Sequence, residues 1–197
     1  MRLTIILLLS TFTNLFGQDV LGYKSLTNEE HMNNFPEFGI YYQDNENKHQ
    51  HYVGTWVYSN SEVIFTINFT PILQRLNMKT FDQDFYYFTD GLLMRYKLED
   101  VSGNVIFSNL DAAPDSIQND FSYSTQFDCI TGSFIDKPKE IIYLFAKFEK
   151  IDSPLNLNQI YFDYNLSSLT RYKPSDFYLS LANTLPTFPN KIIFTKQ

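Results

Sequence analysis

The chain predicts an all-β fold, an antiparallel meander closing into a barrel of about eight strands, with a β-sandwich as the alternative and at most one short helix. Three observations carry this. Apolar residues recur at every second position in successive runs from residue 52 onward, the period of a strand with one wetter face. Aromatic residues make up 17% of the chain, nearly all Phe and Tyr, and these fit the pleated, half-buried surface of a sheet. Prolines at Pro71, Pro114, Pro138, Pro154, Pro174, Pro186 and Pro189 are expected between the runs, where a missing ladder donor does no harm.

The elements follow in order. Val63, Phe65, Ile67 and Phe69 alternate with Ile64, Thr66 and Asn68. Leu92, Met94, Tyr96 and Leu98 alternate with Leu93, Arg95, Lys97 and Glu99, then Val101-Ser102-Gly103-Asn104 turns the chain into Val105–Phe107. That pair is a hairpin, with Gly103 supplying the positive φ that tight turns demand. Phe121–Ile130 is one further strand ended by Thr131-Gly132, and Ile141–Phe148 is a nearly continuous apolar run. Ile160, Phe162, Tyr164 and Leu166 alternate with polar neighbours, and Lys191–Lys196 is a short closing strand. Only Ser168–Leu181 offers a helix, starting near Pro174-Ser175-Asp176.

Residues 1–17 carry the pattern of a secretory signal peptide. Arg2 is the positive n-region, Leu3–Leu9 the apolar h-region, and Phe16-Gly17-Gln18 places a small residue at the cut. The apolar run falls short of the ~20 residues a membrane helix needs. No second such run follows, so no transmembrane segment is expected and the destination is secreted or periplasmic. Residues 18–50 form a polar N-terminal arm, and 51–197 a single barrel domain. The net charge is −7, with basic residues scattered along the chain. Nucleic acid and anionic membrane surfaces need a basic face and are disfavoured.

Candidate chemistry is sparse. Cys129 is alone, so no intramolecular disulfide forms, and its apolar surroundings mark it as a buried structural thiol. His49 and His51 flank Gln50, with His31, Asp44 and Glu46 upstream, but the stretch is polar and unsupported. It is expected to be a solvated histidine pair, with no metal and no cofactor. All three histidines lie in the arm, which leaves no base in the barrel for a serine or cysteine nucleophile, and there is no G-x-S-x-G. Asp82, Asp84, Asp90, Asp128 and Asp163 border turns and are expected to be solvated. The protein is therefore expected not to be an enzyme.

Gly54-Thr55-Trp56 holds the only tryptophan at the head of the meander. The glycine lets the chain enter the barrel floor closely and the indole plugs the narrow end. With this G-x-W on the first strand, the layout resembles the calycins of the lipocalin type, and that resemblance implies a barrel holding a ligand. Arg171 is then the candidate for the arginine that stacks on the tryptophan. The chain resembles more closely an uncharacterised family of small secreted bacterial proteins, through Val53–Trp56, Phe65–Ile67 and the terminal Thr195–Gln197. That family has no assigned activity.

The expectation is an exported, non-enzymatic barrel holding a small apolar or amphipathic ligand against Phe65, Ile67, Tyr96, Tyr143, Phe145 and Phe162. The alternative is a cell-envelope or secreted interaction module. It binds glycan or protein through exposed tyrosines, namely Tyr41-Tyr42, Tyr86-Tyr87 and Tyr161 with Tyr164.

Overall fold

In the computed structural model, residues 19–79, 82–113, 119–124, 128–136, 141–151, 158–164, 169–171 and 191–197 are described. The segment expected to be a signal peptide and most of the expected helix at Ser168–Leu181 lie outside them. Among these residues twelve strands form one sheet. They are β1 (Gly22–Ser25), β2 (Ile40–Gln43), β3 (Gly54–Ser59), β4 (Val63–Lys79), β5 (Asp82–Asp100) and β6 (Val105–Ser108). The rest are β7 (Asp120–Ser124), β8 (Cys129–Asp136), β9 (Ile141–Lys150), β10 (Gln159–Tyr164), β11 (Leu169–Arg171) and β12 (Ile192–Lys196). A single helical turn, Glu29–Met32, and a 3-10 turn, His49–His51, complete the described structure.

Eight strands close the barrel: β3, β4, β5, β7, β8, β9, β10 and β12, each antiparallel to the next in that order. β12 returns to β3 through Thr195↔Val57 and Lys196↔Trp56, which removes both sheet edges. β6 adds to β5 as the expected hairpin. Gly103 there has φ +84°, and the Asp100 carboxylate accepts from the Ser102 and Asn104 amides at 2.9 Å each. Among the described residues no helix is long and apolar enough to cross a membrane.

The alternation read from the sequence sorts the barrel wall. Phe65, Ile67, Phe69, Leu92, Met94, Tyr96 and Leu98 are buried, whereas Thr66, Asn68, Arg95, Lys97 and Glu99 lie between them on the wetter outer face. Leu93, expected on that face, departs from the alternation and is buried, where β5 pairs with Asp120 of β7. The interior is a set of interlocked rings. Phe148 lies 5.0 Å from Phe69, 5.3 Å from Phe121, 4.8 Å from Phe162 and 6.1 Å from Phe194 between ring centroids. Most of these contacts are edge-on or tilted, the arrangements ring quadrupoles favour. The Tyr96 hydroxyl, buried among them, donates to the Ile135 carbonyl at 2.8 Å.

Three local expectations are corrected. Phe121–Ile130 is not one strand but the end of β7 and the start of β8, with Asp128 at φ +47° just before β8. Gly132 lies inside β8 and does not terminate it. A Cβ there would stand 1.9 Å from the Asp120 carbonyl oxygen, so the glycine permits a close approach of β7. Pro71 sits within β4, opposite Leu92, beside the register shift between Ile72 and Arg75 where the ladder is already interrupted.

The expected arm contains two strands. β1 and β2 pair in parallel, and β2 pairs with Phe88–Thr89 of β5, on the length of the β4–β5 hairpin that extends past the barrel. At four residues each, β1 and β2 are too short to show a period. The chain then crosses the barrel end from which the β4–β5 hairpin extends, so that residues 44–53 form a cap over it.

Candidate functional site

The cap is held by hydrogen bonds that begin at Asp44. Its carboxylate accepts from the backbone amides of Lys48 at 2.9 Å and His49 at 2.8 Å, folding the segment into a tight turn. The same carboxylate accepts from His49 Nδ1 at 3.0 Å, and His49 Nε2 accepts from the Tyr123 amide of β7 at 3.0 Å. These two bonds assign the proton to Nδ1 and tie the cap to the barrel wall. Burial raises the Asp44 pKa, but the hydrogen bonds from His49 and Lys48 outweigh it and hold the carboxyl below its ordinary value. Asp90, buried, continues the network by accepting from the Asp44 amide at 2.9 Å, the Gln74 amide at 3.1 Å and the Tyr41 hydroxyl at 2.5 Å.

The expected solvated histidine pair is therefore corrected. His49 is buried and His51 exposed, because the two stand on a 3-10 turn and not on an extended chain. Positions two apart on three residues per turn point in different directions. Among the described residues, no group of three or more His, Cys, Asp and Glu is arranged to share an ion. Asp90 is likewise buried and not solvated, because three donors reach it.

The G-x-W run sits under the cap. Gly54 has φ +118°, a conformation that side chains rarely adopt, and this swings the chain from the cap into β3. The Thr55 hydroxyl accepts from Asn68 Nδ2 at 3.0 Å. Trp56 is 1% exposed, and its indole N–H donates to the Tyr52 carbonyl at 2.6 Å. The cation over the indole is Lys196, 5.1 Å from the ring centroid. The side chain of Arg171, the expected partner, lies outside the described residues.

Two contiguous clefts open beside this cap, sharing Asn47 and His51 as a common wall. The first, of about 220 Å³, adds Lys48, Tyr52, Tyr123, Asp128 and Lys150. The second, of about 310 Å³, adds Gln50, Trp56, Asn158 and Lys196. Together they reach the ~300–1,000 Å³ typical of small-molecule sites. Lys48 stands 5.5 Å over the Tyr123 ring, so two of the three lysines are seated on aromatic faces. The Tyr123 hydroxyl donates to Asp128. Burial first, and then this bond to Asp128, raise the phenol's pKa, so Tyr123 remains a neutral donor. Cys129 is buried nearby, its thiol pushed up to about 11 by burial.

The residues expected to line an internal cavity are placed as follows. Phe65, Ile67, Tyr96 and Phe162 are each at most 1% exposed and belong to one packed core, with Phe65 and Tyr96 5.8 Å apart, edge to face. Tyr143 and Phe145 lie on β9, their side chains outside the described residues. The tyrosine platforms are corrected. Tyr41 and Tyr42 are buried because β2 is enclosed between β1 and β5, and burial and Asp90 push the Tyr41 phenol up to about 12. Tyr164 is buried at the barrel wall, and Tyr86, Tyr87 and Tyr161 are half-buried. Sequence reasoning missed the lysines of the cap, because residues 48, 150 and 196 converge only once the barrel closes.

No curated protein and no solved structure matches the chain. The model of a family of unknown function (DUF6705) matches residues 1–197, the full length, and the chain therefore belongs to the DUF6705 family.

Proposed function

We propose that this protein is an exported, non-enzymatic binding module that takes its ligand at the capped barrel end, and not inside the barrel. The observation that carries this is the ring packing among the described interior residues. Phe69, Phe121, Phe148, Phe162 and Phe194 occupy one another's faces and edges, so a guest there has to force rings apart in a core packed like a crystal. The capped end, by contrast, offers two clefts with amide, hydroxyl and ammonium groups at their walls. Export is supported by Arg2, the Leu3–Leu9 run and the small residue at Gly17. The absence of catalysis is supported by His49, whose two ring nitrogens are both engaged, and by Cys129, whose thiol stays protonated.

Native mass spectrometry of the protein recovered from its secreted or periplasmic fraction tests this reading. The expected mature chain begins near Gln18 and carries an extra mass that is lost on denaturation. The extra mass should fall in a Lys196→Met variant, while the variant keeps its folded charge distribution. An extra mass that persists unchanged in that variant, or a chain that keeps residues 1–17, contradicts the reading. An apolar guest inside the barrel predicts the first of these results.

A further inference from the structure

From the lining of the two clefts we infer that their ligand is an acidic saccharide, a sugar chain bearing carboxylate or sulfate groups; this rests on the capped end being the binding site. The chain as a whole is −7, with fifteen Lys and Arg residues scattered along it. Lys48, Lys150 and Lys196 nevertheless line the two clefts at one barrel mouth, where Asp128 is the single acidic residue among the described lining residues. Asp128 is itself engaged by the Tyr123 hydroxyl. The nearby Asp44 carboxylate is turned inward onto His49, and Glu46 lies 3.6 Å from Lys48 on the exposed side.

The lysines are also positioned. A lysine ordinarily spends side-chain entropy to hold an anion, since its four-carbon stem is flexible. Lys48 and Lys196 each rest over an aromatic ring, Tyr123 and Trp56, and this contact restricts the ammonium before any ligand arrives. Asn47, Gln50 and Asn158 are also in the lining. A primary amide both donates and accepts, which matches a sugar hydroxyl and not a bare inorganic anion. Three amide residues and three lysines along the same two clefts thus favour a ligand that carries both hydroxyl and anionic groups. The shared wall of Asn47 and His51 lets one extended ligand span both clefts.

The only tryptophan is in the lining, so its fluorescence reads the site without a label. The probe is a tetramer of galacturonic acid, compared with the same tetramer methyl-esterified at every carboxyl group and with sodium sulfate alone. The acidic tetramer should change Trp56 emission saturably and lose affinity as salt rises. Esterification should weaken it about tenfold or more, as should Lys48→Met and Lys196→Met each, from the loss of a charge-assisted hydrogen bond. Thermal unfolding of both variants, and of Asn158→Ala as a second probe of the wall, checks that they fold.

Equal affinity for the esterified tetramer overturns the inference, as does binding that ignores both lysines, or sulfate binding as tightly as the tetramer. Failure of every saccharide also overturns it. If, in that case, the mass carried by the native protein still falls in Lys196→Met, the capped end stands as the site and only the ligand class is wrong. If that mass is unmoved, the location fails as well.

Discussion

Inside the barrel, Phe148 is enclosed by the rings of Phe69, Phe121, Phe162 and Phe194; under the cap, His49 is buried as well, but it meets a carboxylate and a backbone amide. The two regions exclude water by different physics. The interior gains from apolar area, which is non-directional and spread over many contacts. The cap depends on a few directional bonds, each expensive to leave unmade once buried. The proposed site rests on the second kind of support, where the first kind ends.

Four substitutions probe that contrast. Phe148→Ala removes the ring that four others touch, and should cost about 3–5 kcal/mol in urea unfolding. A loss below about 1 kcal/mol would mean that the interior is loosely filled, and would erase the difference between the regions. His49→Ala should cost less, about 1–3 kcal/mol, because it removes one of the three donors to the Asp44 carboxylate and leaves the Tyr123 amide without its acceptor. Its effect should be local: hydrogen exchange should accelerate at Tyr123 while β9 around Phe148 stays protected.

The same substitution has a pH signature. The Asp44 pKa in the folded protein lies below its ordinary value, so its contribution is fully present above the unfolded value of about 3.9 and fades as pH falls through the folded value. His49→Ala removes the largest of the interactions that lower it, the bond from the imidazole, and leaves the two backbone bonds. The part of the stability gap between wild type and variant that comes from Asp44 should therefore be present near neutrality and narrow below about pH 4. A gap that widens with acid would reverse the assignment.

Smaller effects test the junction between the regions. Gly54→Ala forces a side chain into φ +118° and brings its Cβ to 3.2 Å from Lys196 Cε. It should cost about 1 kcal/mol, with a shift in Trp56 emission. Lys196→Met keeps the stem and removes the charge over the indole, worth about 0.5–1 kcal/mol. Its thermal midpoint should barely move, so a large drop would make Lys196 a structural element of the barrel and not part of a binding face.

The barrel was legible because its strands are long enough to alternate: β4, β5 and β10 each show their buried set at every second residue. Gly54-Thr55-Trp56 was legible as a barrel entrance, since a lone tryptophan after a glycine is a local signal. The division between β7 and β8 was not. Phe121–Ile130 contains neither Gly nor Pro, and the residue with positive φ there is Asp128. The cap was hidden for a related reason. Asp44 and His49 bury themselves by bonding across a turn and to a strand 74 residues away, which leaves no period in the sequence. The cationic mouth was harder still, since its lysines belong to the cap, the end of β9 and the end of β12. A scan for basic clusters along the chain cannot find a cluster that exists only in space.

The central claim is that aromatic packing fills the barrel and leaves binding to the capped end. Xenon-pressurised crystals test it most directly, because xenon enters dry apolar cavities without needing polar partners. No xenon should appear between Phe65, Tyr96, Phe148 and Phe162. An ordered xenon atom among those rings would reveal an internal cavity and return the barrel interior to the position of ligand site.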